Sequence, residues 1–389
     1  MDAQLSQGLT FLAWTSGIFL IVVGIFVIKL LFDLSRLTCN MNKSAEIVKF
    51  LVRKAIDTSS LVDFELFQDV NWKKVMRISA AQGVFAIAFD GIEHLPMECR
   101  PDKNSLIRWF GQVCYQEKLF EHNWKVAKMI SGLWGSEGIE TVVLKGRSIA
   151  QFYPKPEHRY SCDLDIFIGN GWDKACQMLE DKGVKLVHEV YKEVEFTLNN
   201  VYVECHRYIT PYRGNKTLRR FEKFLKNSLA ESPKQYFDNT VLLCPPLMFI
   251  IMLHIEHALG DLLHGKFSLK HVVDWMILRK QSMDFETIEL RCKKFGFDRF
   301  LKLIDALADV VEGKYDITCL PSSFQEVYNS LFIIPSISKE PKSWFARRVS
   351  LFFEIIQNKK IYKNFGYCSM EWFLLNAVWC HFFKKEVNG

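Results

Sequence analysis

Asp163 and Asp165 stand one residue apart in SCDLDIFI, residues 161–168. Alternate side chains of a strand share a face, so two carboxylates spaced this way would point in the same direction, about 7 Å apart. Like charges so placed repel each other. A divalent cation between them removes the conflict, and a hard cation such as Mg²⁺ takes oxygen donors. A solvent-facing edge strand with alternating Asp would show the same spacing. Upstream, the apolar run Val142-Val143-Leu144 ends in Lys145-Gly146, followed by Arg147, Ser148 and, after a Pro-rich turn, Arg159. A Gly turn between a strand and a helix lets backbone N–H groups approach a phosphate, and a helix start favours anions. Lys145 or Arg147 can add a cation there. The chain has no G-x-G-x-x-G and no Walker A sequence, so the common nucleotide-binding fingerprints are excluded.

Glu204 lies in VYVECH, residues 201–206, on a predicted strand between apolar residues, and His206 shares its face. Glu204 reads either as a surface residue of an edge strand, as a third acid completing a cation site, or as a base toward a hydroxyl. His206 reads either as a substrate ligand or as a hydrogen-bonded structural histidine. A further group is His254-Ile255-Glu256-His257, followed by His264, His271 and Asp274. The spacing is not H-E-x-x-H, which excludes that zinc-protease signature. His254 and His257 are three apart and so share a helix face, one that could line a cleft and touch substrate.

The elements that must position these residues follow from periodicity. Residues 139–244 alternate between the strand and helix periods: strand, Gly turn, helix and strand over 141–168, a helix over 172–181, a strand at 184–187, and a hairpin of 194–198 with 201–209 across Asn199-Asn200. Residues 41–138 carry helical spacing, including one long helix from Asn104 to Gly132. Pro245-Pro246 opens a second helical stretch, 245–389. The predicted fold is therefore α+β, a small mixed sheet flanked by N-terminal and C-terminal helical regions. At 389 residues, 49% hydrophobic and with 32 Phe, the chain can build a sizeable core, which excludes global disorder. The net charge of +6 is spread along the chain and predicts no nucleic-acid partner. Eleven Cys without a C-x-x-C pair argue for core thiols rather than a disulfide framework.

Residues 1–40 form a separate unit in this reading. No charged residue occurs from Leu9 to Ile28, a length that just crosses a bilayer core. Lys29, Arg36, Lys43 and Lys49 follow it, so the positive-inside rule predicts a single transmembrane helix in the cytoplasmic (inner) membrane, with the rest of the chain in the cytoplasm. Met41 opens an alternative, soluble start, which would make the protein cytoplasmic.

Taken in order, VLKGRSIAQFYP, Arg159, DLDIFI, VYVECH and LHIEHAL with Asp274 resemble the nucleotidyltransferase superfamily of the DNA polymerase β type. More narrowly, they are similar to an uncharacterised bacterial nucleotidyltransferase family whose first motif reads Leu-Lys-Gly rather than Gly-Ser. The resemblance covers roughly residues 70–280 and is sharpest over 141–168. It implies Mg²⁺, two ions with Mn²⁺ as a substitute, held by Asp163, Asp165 and Glu204. It places Gly146 and Ser148 at the triphosphate of an NTP; in the enzyme reading of the residues, Lys145, Arg147 and Arg159 offset its charge, and His206, His254 and His257 are expected at the substrate. The implied reaction moves a nucleoside monophosphate from an NTP to a hydroxyl of a small molecule, glycan precursor or protein. The alternative is a catalytically inactive nucleotide-binding or membrane-tethered scaffold. Lys145 departs from the superfamily pattern, which has a Gly at that position.

Overall fold

The strands of this protein show one alternation repeated side by side. In the computed structural model, which describes residues 43–211, 215–237, 240–281, 284–332 and 358–366, β2 (Leu164–Ile168) and β5 (Val201–His206) run parallel, and β4 (Glu193–Leu198) pairs antiparallel with β5. Leu164, Ile166 and Ile168 of β2, Val201, Val203 and Cys205 of β5, and Val194 and Phe196 of β4 all enter one apolar core. Asp165, Glu204, His206 and Glu193 occupy the alternate positions and therefore face the other side. A one-residue slip of register would push the carboxylates into the apolar layer, so the hydrophobic pattern fixes the site as firmly as it fixes the sheet.

Among the described residues four α-helices precede the sheet: α1 (Lys43–Ile56), α2 (Trp72–Ala81), α3 (Phe85–Glu93) and the long α4 (Lys103–Gly135). Asn71 caps α2, and Asp102 caps α4 by accepting from the N–H groups of Asn104 and Ser105. The C-terminal half of α4 lays Trp124, Ala127, Ile130 and Trp134 on the apolar face of the sheet, where each buried large side chain contributes about 1.5–3 kcal/mol. The same helix leaves Ile107 and Phe110 more than half exposed and instead buries Trp109, whose Nε1–H donates to Phe85 O.

The sheet has seven strands among the described residues, in the order β3-β4-β5-β2-β1-β7-β6. Here β1 is Thr141–Val143, β3 Val187–Val190, β6 Gln235–Tyr236 and β7 Leu242–Cys244. The β4–β5 hairpin turns at Asn199 and Asn200, both in the left-handed region at φ +49° and +63°, as the primed hairpin turns require. β7 pairs parallel with β1 and widens the sheet beyond the motif strands.

Between the strands lie α5 (Arg147–Ala150), α6 (Trp172–Glu180) and α7 (Lys216–Glu231). After β7 come α8 (Leu247–Leu263), α9 (Leu269–Leu278) and further helices up to Phe365. α8 is buried nearly all round, so its polar members, His254 and Glu256, sit inside the protein. Among the described residues no helix is long and apolar enough to cross a membrane. The span expected at residues 9–28 lies outside the described residues.

Candidate active site

β1 and β2 are antiparallel neighbours, and Leu144 N–H continues their ladder by donating to Asp165 O at 3.1 Å. The next residue, Lys145, is thereby delivered beside Asp165, and its Nζ donates to Asp165 Oδ1 at 2.8 Å. Gly146 then turns the chain at φ +56°, a conformation suited to glycine. An added Cβ there would lie 3.2 Å from Ser161 Oγ. Ser161 in turn donates to Asp163 O, so the Gly turn and the first aspartate are linked through one hydroxyl. Asp163 sits one residue before β2 and lines the same cleft as Lys145, Gly146, Asp165 and Glu204.

The register of β2 against β5 places Asp165 directly beside Glu204. His206 Nε2 lies 3.2 Å from Asp165 Oδ1 and 3.8 Å from Glu204 Oε2, and His206 Nδ1 lies 3.0 Å from Glu193 Oε2. Lys192 Nζ closes the row at 2.6 Å from Glu193. The result is a row of alternating acids and bases, from Lys145 through Asp165, His206 and Glu193 to Lys192. Such a row is what allows Asp165 to be buried, because an isolated buried carboxylate costs several kcal/mol.

Electrostatics separate the three acids. Burial works against the charge of Asp165, but Lys145 and His206 hold its carboxyl well below the usual range. Burial pushes Asp163 up, and the charge of Asp165 adds to it. Burial and then Asp165 push Glu204 up to about 7. Glu193 is held down at about 2: burial opposes its charge, and His206 and Lys192 outweigh it. Burial also disfavours the Lys145 ammonium, yet Asp165, Glu204 and Asp163 keep its pKa above the ordinary lysine value.

Asp165, Glu204 and His206 bring ligand atoms within 4.8 Å of one another. The two carboxylates supply the hard oxygen donors that a divalent cation such as Mg²⁺ takes, with Asp163 in the same cleft. A second cluster, His257, Asp261 and His271, has metal-like spacing but a different logic. His271 Nδ1 accepts from Ser268 N–H at 3.1 Å, which leaves the proton of the neutral ring on Nε2, 3.0 Å from Asp261 Oδ2. That nitrogen is buried at ion-pair distance from Asp261, without hydrogen-bond geometry.

The remaining expected residues fall into different places. Arg159 is buried and grips Asp274 with two bonds, Nε to Oδ1 at 2.7 Å and Nη2 to Oδ2 at 2.8 Å. Its Nη1 donates to Gly146 O at 3.2 Å, so it ties the Gly turn to α9. The preceding His158 anchors this segment to Asp90 at 2.7 Å and Glu117 at 3.0 Å. Ser148 is fully buried, its hydroxyl donating to Val143 O and Lys145 O, which braces the turn from beneath. Arg147 lies outside the cleft lining, over the rings of Trp124 at 4.2 Å and Phe120 at 4.7 Å. His254 and His257 both line the cleft from α8. His254 Nε2–H donates to His271 O at 3.1 Å, and burial lowers its pKa to about 4. His257 Nε2 lies 3.5 Å from Asp261, and burial holds its pKa well below the usual value. Glu193, Ser161 and Lys270 also belong to the site or its support. The signal for Glu193 is cross-strand, since it is the register partner of His206.

This geometry agrees with an independent comparison: residues 68–311 match the family described as uncharacterised nucleotidyltransferase. The chain belongs to that nucleotidyltransferase family. The match spans α2 to α4, the whole cleft and α8 and α9 after it, so the general kind of reaction is transfer of a nucleotidyl group. No curated protein and no solved structure matches the chain significantly.

Proposed function

We propose that this nucleotidyltransferase moves a nucleoside monophosphate from an NTP to a hydroxyl of a small molecule, glycan precursor or protein, with Mg²⁺ as cofactor. The observation that carries this reading is the placement of Asp165 and Glu204 side by side on parallel strands, in one cleft with Asp163 and the Lys145-Gly146 turn. Mg²⁺ supplies neutralisation of the triphosphate and of the leaving group when bound. Asp163, Asp165 and Glu204 would hold it, and Lys145, whose ammonium already faces these acids, would balance phosphate charge. The acceptor oxygen forms a bond to the α-phosphorus as the bond from that phosphorus to the bridging oxygen breaks. The electron pair leaves with pyrophosphate. The hydroxyl proton passes to a carboxylate, and Glu204 is the one to take it where it serves as base instead of as a ligand of the cation. The same reading tethers the cleft to the cytoplasmic face of a membrane through residues 9–28, on the uncharged stretch and its positive flank alone.

The test is pyrophosphate release from each of the four NTPs with Mg²⁺ and cell lysate as a source of acceptors. The wild type is expected to release pyrophosphate, and Asp163→Asn combined with Asp165→Asn to abolish it. Turnover unchanged in the double variant would sink the assignment. A chain that binds nucleotides and releases no pyrophosphate with any acceptor is the scaffold instead.

A further inference from the structure

The cations of the cleft differ in what they are already bound to. Lys145 is held by Asp165, Arg159 is locked on Asp274 and Gly146 O, and Arg147 lies on aromatic rings outside the cleft. Lys270, from the first turn of α9, lines the cleft opposite the sheet. Among the described residues its ammonium makes no hydrogen bond and has no carboxylate within ion-pair distance.

Three features argue against a solvated surface lysine. The side chain is half-buried. Its backbone is fixed, since Lys270 N–H donates to Gln82 O at 3.1 Å and Leu269 N–H to Gln82 Oε1 at 3.0 Å. Its stem is guided by Gly83, where a Cβ would stand 3.3 Å from Lys270 Cβ and 3.4 Å from Cδ, at a φ of +66°. The position is also electrostatically wrong for helix stability, because a cation in the first turn opposes the helix dipole. A sequence that breaks a local rule while fixing the offending side chain in place does so where function needs it.

We propose that Lys270 grips the polyphosphate of the incoming nucleotide from the helical wall, in the cleft it shares with Asp163 and Asp165. This rests on the nucleotidyltransferase reading above. An anionic phosphate chain is the chemistry that completes an ammonium left without an acid partner, and a lysine binds it as a point charge. The Gln82-Gly83 junction between α2 and α3 then positions the ligand without touching it.

The test uses the full chain with Mg²⁺ and four probes by titration calorimetry: ATP, ADP, AMP and inorganic tripolyphosphate, which has no base or sugar. GTP, CTP or UTP replaces ATP, together with its own di- and monophosphate, if it binds more tightly. A charge-assisted bond of about 1.5–3 kcal/mol corresponds to roughly 10- to 100-fold in affinity. Lys270→Met is expected to weaken the triphosphate nucleotide and tripolyphosphate by that factor, with the monophosphate within about twofold of wild type. Lys270→Arg, which keeps the charge, is expected to restore most of the loss. Thermal denaturation of both variants without ligand should match wild type. Tripolyphosphate affinity unchanged in Lys270→Met, or an equal loss for mono- and triphosphate, overturns the assignment. A wild type that binds none of the nucleotides and no tripolyphosphate overturns the nucleotidyltransferase reading itself.

Discussion

Lys145 Nζ lies 2.8 Å from Asp165 Oδ1, so the carboxylate best placed for a divalent cation already faces a cation of the protein's own. This is where the chain departs from the Gly usual at that position in the superfamily it resembles. The lysine lets Asp165 stay ionised and buried before any ligand arrives, and it competes for the same oxygen. In Lys145→Met that competitor is gone. Mn²⁺ affinity without nucleotide, read by electron paramagnetic resonance, is expected to rise by about 10-fold or more, the equivalent of one charge-assisted bond. Pyrophosphate release is expected to fall. Weaker Mn²⁺ binding in the variant would mean that Lys145 builds the cation site instead of guarding it.

Glu193 acts through His206. It stands opposite His206 in the β4–β5 register, and its Oε2 lies 3.0 Å from Nδ1. That contact orients the ring so that Nε2 faces Asp165 and Glu204. Acids that orient a histidine beside a cation site typically change metal affinity 10- to 100-fold when removed. Glu193→Gln is expected to weaken Mn²⁺ binding by roughly 10-fold and leave the fold intact, since glutamine fills the same space. Wild-type Mn²⁺ affinity in this variant would reduce Glu193 to a strand residue paired with Lys192.

Arg159 and Asp274 are 115 residues apart in the chain and joined by two bonds in the interior. Tyr153 adds a third bond, its hydroxyl donating to Asp274 Oδ1 at 2.5 Å. Breaking one partner of such a buried pair typically costs 3–5 kcal/mol, because the other charge is left stranded. Asp274→Asn is therefore expected to lower the thermal midpoint by many degrees. Because Arg159 also holds Gly146 O, the same change should raise the KM for nucleotide more than it lowers kcat. Tyr153→Phe removes one neutral donor and is expected to cost about 1 kcal/mol. A thermal midpoint in Asp274→Asn equal to wild type would show that the clamp carries no stability.

How much of this was legible follows from which signals are local. The period-two alternation of LDIFI and VYVECH placed Asp165 and Glu204 on one face, and the register of two parallel strands then put them side by side. Asn199-Asn200 announced its hairpin, because both residues tolerate positive φ. Glu193 was hidden, since Glu-Val-Glu on a strand reads as an ordinary solvent face until the register supplies His206. The Arg159–Asp274 clamp and Lys270 were hidden for a related reason: their meaning lies in what a distant segment brings or fails to bring. β7 is three residues long, too short for a period, and only its pairing with β1 makes it a strand. On α4 the apolar pattern gave the helix but not its buried face, which turns on Trp109.

Glu256 gives the stability a pH dependence that can be separated from catalysis. It is buried on α8, and burial raises its pKa from 4.5 to about 7, with Lys192 and Lys145 only partly offsetting this. Between those two values the folded chain holds a proton that the unfolded chain has released. Stability therefore falls as pH rises through this window and levels off above about 7. At about 1.4 kcal/mol per pH unit, the span corresponds to roughly 3 kcal/mol as an upper bound. Glu204 shifts in the same direction and adds to the loss, while His254 and His257, whose pKa values burial lowers, work against both up to about pH 6.5, so the comparison with a Glu256 variant is what isolates this group. Glu256→Gln keeps the shape and removes the titration. Denaturant unfolding of the variant is expected to match wild type near pH 5 and to exceed it at pH 8, by up to that amount. A variant that is less stable than wild type at pH 8 would mean that Lys192 and Lys145 outweigh burial and that the fold favours the ionised carboxylate.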